Sequence, residues 1–323
     1  MKQLLKQGKN KGALTISALA LAMLAGAAQA GPVTTWSYST DTKFTAATWD
    51  ADTGGTEYVN PNGYELSWGA TGGDFTTNTG FAATNRSGLT VGNAVTGTTQ
   101  GGGPATGSIN TTIGGFPSVF LGQIKPGTSL THWNNPITAS FTTLTGGTIV
   151  DTLTLTPTLP AEYVGQPLVN APTLIFNFKF QETPNAPTSG VCADGNAPPS
   201  GGCPDLFGFN GVTLNNAFTY LDSGVDNILG NADDFTRTYF ASVFVLDQND
   251  GAFPIQQLVS GECGALGLSA GCFGFRTAEA AHTTAKFAFA VTTDRITIPE
   301  PGTLALLGLG LAGLGMSMRR RKI

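Results

Sequence analysis

Hydrophobic and polar residues alternate along much of the chain with a period of two. The segment TLIFNFKFQ places Leu174, Phe176, Phe178 and Phe180 on one face. Two further stretches repeat the pattern at Leu153, Leu155, Phe287, Phe289 and Val291. This period is typical of strands with one face in a core, and clusters of Gly, Asn, Asp and Pro separate the runs. The pattern predicts an all-β body over residues 31–297, a jelly-roll-like β-sandwich.

Residues 1–30 have the composition of a secretory signal. Four lysines precede an apolar run from Leu14 to Leu24, and Ala28 and Ala30 provide the small residues that signal peptidase requires. A retained membrane anchor is the alternative, but the apolar run is short for a membrane span. We expect signal peptidase to remove this segment, so that the mature chain begins at Gly31.

Residues 298–323 combine three features at the other end of the chain. Pro299, Glu300 and Pro301 precede an uncharged stretch from Gly302 to Met318, and a basic end of Arg319, Arg320, Arg321 and Lys322 follows. The uncharged stretch predicts a single transmembrane helix, with the basic end on the cytoplasmic side. Its small residues would alternatively serve close packing against another helix.

The order of these features resembles the PEP-CTERM sorting signal of Gram-negative bacteria. The resemblance implies recognition by an exosortase and removal of the tail after an inner-membrane intermediate. It also implies delivery to the cell surface or to the extracellular matrix of an exopolysaccharide producer.

A second resemblance concerns the body of the chain. The segment GTSLTHWNNPI, the segment FNFKFQET and the stretch from Cys272 to Thr293 are similar to the THxN family of PEP-CTERM proteins, whose motif corresponds to Thr131, His132 and Asn134. This resemblance implies a location and no mechanism. Because no carboxylate lies within ten residues of His132, we interpret the motif as a strand end, where His132 bridges two carbonyls and the asparagines bond the backbone.

Charge excludes one class of partner. Between Gly31 and Ile298 the chain has eight basic and 20 acidic residues, a formal charge of −12. Binding to nucleic acid requires clustered Lys and Arg, so we expect no nucleic-acid partner.

The four cysteines are consistent with an oxidising compartment. They are Cys192, Cys203, Cys263 and Cys272. Disulfides are expected, and the sequence leaves three pairings open. A metal site of four thiolates is the alternative, although the separations are long for one.

An acidic segment is the candidate cofactor site. LDSGVDNILGNADDF contains Asp222, Asp226, Asp233 and Asp234, which supply hard oxygen ligands for Ca²⁺. A solvated acidic turn is the alternative, because no glutamate closes the loop.

These features favour a structural or adhesive protein of the extracellular polysaccharide matrix, without enzymatic activity. A carbohydrate-binding module is the alternative, with candidate stacking residues Trp36, Trp49, Trp68 and Trp133. A matrix-acting hydrolase would use Ser269, Glu279 and His282, but the strand and helix required around such a serine are not predicted.

Overall fold

Fifteen strands and one short helix make up the described part of the chain. The computed structural model describes residues 31–70, 85–114, 123–160, 168–170, 172–184, 189–210, 215–222, 232–246, 252–253 and 257–296. The strands are β1 (Thr35–Trp49), β2 (Thr56–Val59), β3 (Glu65–Gly69), β4 (Arg86–Asn93), β5 (Ala105–Thr112), β6 (Lys125–Asn134), β7 (Leu144–Leu159), β8 (Leu168–Asn170), β9 (Thr173–Gln181), β10 (Asp205–Phe209), β11 (Asn216–Asp222), β12 (Phe235–Leu246), β13 (Ala252–Phe253), β14 (Phe273–Thr277) and β15 (Ala281–Thr292). The helix α1 spans Ser260–Ala265. The signal segment and the sorting segment lie outside the described residues.

The strands form one continuous sheet that folds into two layers. The first layer has the order β14-β10-β9-β7-β1-β5, and the second has the order β8-β11-β12-β15-β6-β4-β3-β2, with β13 also paired to β12. The layers join where the end of β15 runs parallel to the end of β5, with Val291 opposite Thr111. The predicted all-β sandwich is confirmed.

Aromatic side chains fill the space between the layers. Near one end, Trp36 of β1 contacts Tyr239 of β12, with ring centroids 5.2 Å apart. Near the other end, Phe180 of β9 contacts Trp68 of β3 at 5.0 Å. The period-two pattern explains which residues meet, because alternate positions of each long strand point inward. Of the face predicted for β9, Leu174, Phe178 and Phe180 are buried and Phe176 is half-buried.

No helix in the described ranges is long and apolar enough to cross a membrane. The predicted transmembrane helix lies in the sorting segment, outside those ranges.

Candidate functional site

The THxN motif lies in the last part of β6, and the strand pleat divides its residues between two faces. His132 and Asn134 point between the layers, whereas Thr131 and Trp133 point to the opposite face. On that opposite face the hydroxyl oxygens of Thr131 and Thr284 are 2.9 Å apart. Of the three motif residues, none exposes more than 1% of its surface. The motif side chains are therefore buried on both faces of β6.

His132 lies within an aromatic cage rather than at a turn. Its ring stacks on Trp68, at 6.1 Å and an interplanar angle of 12°, and meets the edge of Phe180 at 4.8 Å. Its Nε2 has no hydrogen-bond partner, so the predicted bridge between two carbonyls is wrong. The ring instead faces a carboxylate, Asp205, which β10 brings to it from far along the chain, and no local pattern around His132 indicates that contact.

The two asparagines bond the backbone as predicted, but they reach distant strands. Asn134 Nδ2 donates to the carbonyl of Thr277 in β14, at 3.0 Å. Asn135 Nδ2 donates to the carbonyl of Arg86 in β4, at 2.6 Å. These bonds fix the end of β6 to both layers.

Asp205 is the first residue of β10 and lies next to His132. Its Oδ2 is 3.7 Å from His132 Nε2, and its Oδ1 accepts a hydrogen bond from the Thr183 backbone N–H at 2.8 Å. The register places Asp205 directly opposite Thr277 of β14. Asp205 therefore connects His132, Thr277 and the segment that follows β9.

Two glutamates complete this group. Glu182 Oε2 accepts a hydrogen bond from Trp68 Nε1 at 2.9 Å. Glu279 lies in the turn between β14 and β15, where its Oε1 is buried without a hydrogen-bond partner. We define the His132 cluster as the residues His132, Asn134, Glu182, Asp205, Thr277 and Glu279.

Burial determines the protonation of the cluster. It lowers the pKa of His132 to about 3, so the imidazole is neutral at pH 7. It also raises the pKa of Asp205 well above the usual range, and the charges of Glu182 and Glu279 raise it further. The pKa of Glu182 is raised mainly by burial, with contributions from Glu279 and Asp50. Because His132 is neutral, it forms no salt bridge with Asp205, whose charged form is itself disfavoured by burial.

A cleft leads from the surface to the cluster. It has a volume of about 450 Å³ and is lined by Asp50, Asp52 and Thr143 on one side and by Glu182, Thr183 and Pro184 on the other. The Thr143 hydroxyl holds Asp50 by donating to Oδ2 at 2.6 Å. Glu182 belongs to both the cleft and the cluster, so the two adjoin at this carboxyl group.

The predicted calcium segment lies at the tip of the β11–β12 hairpin. Asp222 ends β11 opposite Phe235, and Asp233 and Asp234 directly precede β12. Asp233 is exposed and Asp234 is half-buried, while Asp226 lies outside the described residues. Within the described ranges, no three His, Cys, Asp or Glu residues are arranged to hold a metal ion. Calcium binding by this segment stays a prediction.

The cysteines form two local disulfides, Cys192–Cys203 and Cys263–Cys272. Of the three pairings left open by the sequence, this one encloses the shortest loops. The alternative of a four-thiolate metal site is wrong, because all four sulfurs are used in disulfides.

Two of the four candidate stacking tryptophans are excluded. Trp36 and Trp68 are fully buried in the core. Trp49 and Trp133 are half-buried. Ser269 follows α1 instead of a strand, so it lacks the setting that a nucleophile elbow requires.

Comparison with known proteins agrees with the reading of the tail. The described body is a two-layer β-sandwich with two local disulfides. Residues 297–322 match the family model of the PEP-CTERM protein-sorting motif. The chain therefore carries a PEP-CTERM sorting motif, which implies processing by an exosortase and export to the surface or exterior of a Gram-negative bacterium. The match does not reach the THxN motif, and membership of that subfamily stays a prediction. No curated protein matches the sequence.

Proposed function

We propose that this protein is a structural and adhesive component of the extracellular polysaccharide matrix, without enzymatic activity. The sorting motif carries the proposal, because an exosortase substrate is delivered to where such a matrix forms. The body is suited to that role, since two disulfides and a sandwich of long strands resist unfolding outside the cell.

Burial of the family motif supports a structural role for the motif itself. Thr131, His132 and Asn134 face neighbouring strands rather than solvent. A motif that bound a matrix polymer directly would need at least one exposed side chain. We therefore assign the motif to the folding of the body, and adhesion to other surfaces.

Deletion of the gene in the producing organism tests the proposal. We expect loss of matrix cohesion, measured by shear release of polymer, and restoration by the wild-type chain. As a matched control, a chain with Pro299→Ala, Glu300→Ala and Pro301→Ala should be made but not restore cohesion, because its tail is no longer a sorting signal. Unchanged cohesion in the deletion strain would overturn the matrix role. Release of reducing ends from the polymer by purified protein would overturn the absence of enzymatic activity.

Carbohydrate binding is a second candidate, supported by a groove on the outer face of β6 and β15. The groove has a volume of about 230 Å³ and is lined by Thr98, Thr284 and Lys286 among others. Along the same strands, Trp133 packs against the exposed ring of His282, with centroids 4.9 Å apart. Aromatic rings, hydroxyls and an amine suit a sugar chain.

Affinity electrophoresis in the producer's polysaccharide tests this candidate. We expect the wild-type protein to be retarded and Trp133→Ala to migrate freely. Val259→Ala, which alters another exposed apolar side chain far from the groove in sequence, serves as the control. Equal retardation of all three proteins would exclude the groove as the binding surface.

A further inference from the structure

We propose that the outer face of the first layer binds a neutral polysaccharide chain through an array of hydroxyl groups. The array lies on three adjacent strands in the order β5, β1 and β7. We define the hydroxyl face as the outward side chains Ser37, Ser39, Thr106, Ser108, Thr154 and Thr156. This inference rests on the proposed function, since it names the surface and the ligand through which the protein adheres.

The strand pleat separates the hydroxyl face from the core. In β1, Tyr38 is buried between the layers, whereas Ser37 is exposed on the other side of the sheet. In β7, Leu155 is buried, whereas Thr154 and Thr156 are exposed. Successive side chains of a strand point to opposite faces, so these hydroxyl groups are directed to solvent.

Strand register arranges the hydroxyl groups in two rows that cross the strands. The rows are Ser108–Ser37–Thr156 and Thr106–Ser39–Thr154. Neighbours within a row are about 4.8 Å apart, the spacing of paired strands, and the two rows are about 6.7 Å apart along the strands. Because every sugar of a polysaccharide carries hydroxyl groups, an extended chain that crosses the strands meets a hydrogen-bonding partner on each of them.

The array is held in place before any ligand binds. β1 lies between β5 and β7 and pairs with both along the segment that carries the hydroxyl face. Threonine is β-branched, which restricts its side chain to few rotamers. Binding therefore has to order few protein groups, which limits its entropic cost.

Charge favours a neutral ligand. The outward positions at 35–39 of β1, 106–110 of β5 and 152–158 of β7 are all Ser, Thr or Asn, although the body has a formal charge of −12. Asp41, next along β1, is paired with Lys43 at 2.9 Å. The body as a whole would repel an acidic polymer, and a cationic polymer would be attracted to the acidic cleft instead. A neutral polysaccharide is therefore the polymer that this face suits.

Another part of the same layer shows the composition of an outer face that the protein itself covers. On β10, Leu206 packs against Leu258, Cys263 and Leu266, which lie in and around α1. Apolar side chains occupy that covered strip, whereas the hydroxyl face is polar and uncharged. Exposed protein surfaces normally mix charges of both signs, so an uncharged polar face is unusual for a surface that meets only water.

Affinity electrophoresis of the protein purified from the producing organism tests the proposal. The gels contain the producer's polysaccharide, separated by anion exchange into a neutral and an acidic fraction. We expect the neutral fraction to retard the wild-type protein. Added salt should leave the retardation unchanged, because ions screen charges and not hydrogen bonds between neutral groups.

A pair of isosteric substitutions tests the hydroxyl groups themselves. The double variant Thr154→Val, Thr156→Val keeps the shape of the face but removes two hydrogen-bonding groups, so its affinity should fall about tenfold. The matched control is Thr236→Val, Thr238→Val, which makes the same change at the same spacing on exposed positions of β12 in the second layer. The control should bind as tightly as the wild type.

A second variant keeps the test decisive if the valine variant does not fold. Ser37→Ala, Ser39→Ala removes hydroxyl groups from β1 and should weaken binding similarly. Denaturation midpoints show which variants are folded.

Several results would overturn the proposal. They are no retardation of the wild type, retardation by the acidic fraction alone, and equal affinity of the wild type and both hydroxyl variants. Loss of retardation in Trp133→Ala, with retention in both hydroxyl variants, would place binding in the groove of the second layer. A changed oligomeric state with unchanged retardation would assign the face to contact between two copies. Each of these failures leaves the matrix role standing, because cohesion of the deletion strain measures that role separately.

Discussion

The Nε2 of His132 lies 3.7 Å from the Oδ2 of Asp205, and neither side chain is more than 1% exposed. The distance exceeds that of a hydrogen bond, and burial disfavours both charged forms, since it lowers the pKa of His132 to about 3 and raises the pKa of Asp205. The pair thus contributes packing and position rather than ionic attraction. This has consequences for the dependence of stability on pH and for substitutions at His132.

The free energy of unfolding should fall as pH rises from about 6.5 to 8.5. The pKa of Glu182 is raised from 4.5 to about 8, so the folded state binds more protons than the unfolded chain in this range and the free energy of unfolding falls with pH. The raised pKa values of Asp205 and Glu279 act in the same direction. The negative charge of Asp50 contributes to the raised pKa of Glu182. Urea titrations at a series of pH values measure the slope.

The shifted pKa values of His132 and Asp151 affect stability mainly below this pH range. The pKa of His132 is lowered from 6.5 to about 3, so its destabilising effect develops only as pH falls through that interval. Asp151, whose pKa burial raises to about 6, exerts most of its effect below the window. Asp205→Asn should flatten the slope above pH 6.5, and an equally steep slope in that variant would contradict the assignment.

Two substitutions at His132 should separate the contribution of its ring volume to stability from the contribution of its polar nitrogens. His132→Ala removes a ring packed against Trp68 and Phe180 and should cost about 2–5 kcal/mol through the cavity it leaves. His132→Leu refills much of that space and removes an unpartnered nitrogen, so it should cost less than about 1.5 kcal/mol. Chemical denaturation measures both. Equal costs would mean that the imidazole makes a polar contact essential to the fold.

Arg86 is a second buried polar centre and should be intolerant of substitution. Its guanidinium donates to the Thr56 hydroxyl at 2.7 Å, to the Ala70 carbonyl and to the Ser67 hydroxyl, while the fully buried Glu65 stabilises its charge. Arg86→Met should cost about 3–5 kcal/mol, because these acceptors and Glu65 lose their partner.

The exposed pair of Lys43 and Asp41 provides the control for Arg86. Lys43 Nζ lies 2.9 Å from Asp41 Oδ2, but the lysine side chain is 44% exposed. Lys43→Met should change the denaturation midpoint little, because solvent screens exposed pairs. A comparable loss in both variants would show that burial does not govern the effect at Arg86.

Loss of the Cys192–Cys203 disulfide should weaken the His132 cluster as well as the fold. The Cys203 carbonyl accepts the Thr183 hydroxyl at 2.6 Å, and the Thr183 backbone N–H holds Asp205. The double variant Cys192→Ser, Cys203→Ser should lose about 2–4 kcal/mol of stability. The matching variant at Cys263 and Cys272 should lose a similar amount. Only the first should also change the slope of stability against pH between about 6.5 and 8.5, and an equal change in both would contradict the link through Thr183.

Particular strands show how far sequence reasoning reached. In β9 and β15 the period of two predicted the strand and its buried face, because alternation is a local property of the backbone. At β6 the same reasoning correctly placed the Thr131–Asn134 motif at the end of a strand, but it assigned His132 the wrong neighbours. No local signal connects His132 with Asp205 and Glu182, since their contact depends on which strands pair across the sandwich.

The sequence by itself determined the sorting tail, the all-β class and the presence of disulfides, because these depend on local composition and periodicity. Only the tertiary structure decided the disulfide pairing, the burial of the motif and the convergence of His132, Asp205 and Trp68. That convergence is set by strand order and register, which are long-range properties. Burial then lowers the pKa of His132 and raises the pKa of Asp205, away from their values in the unfolded chain.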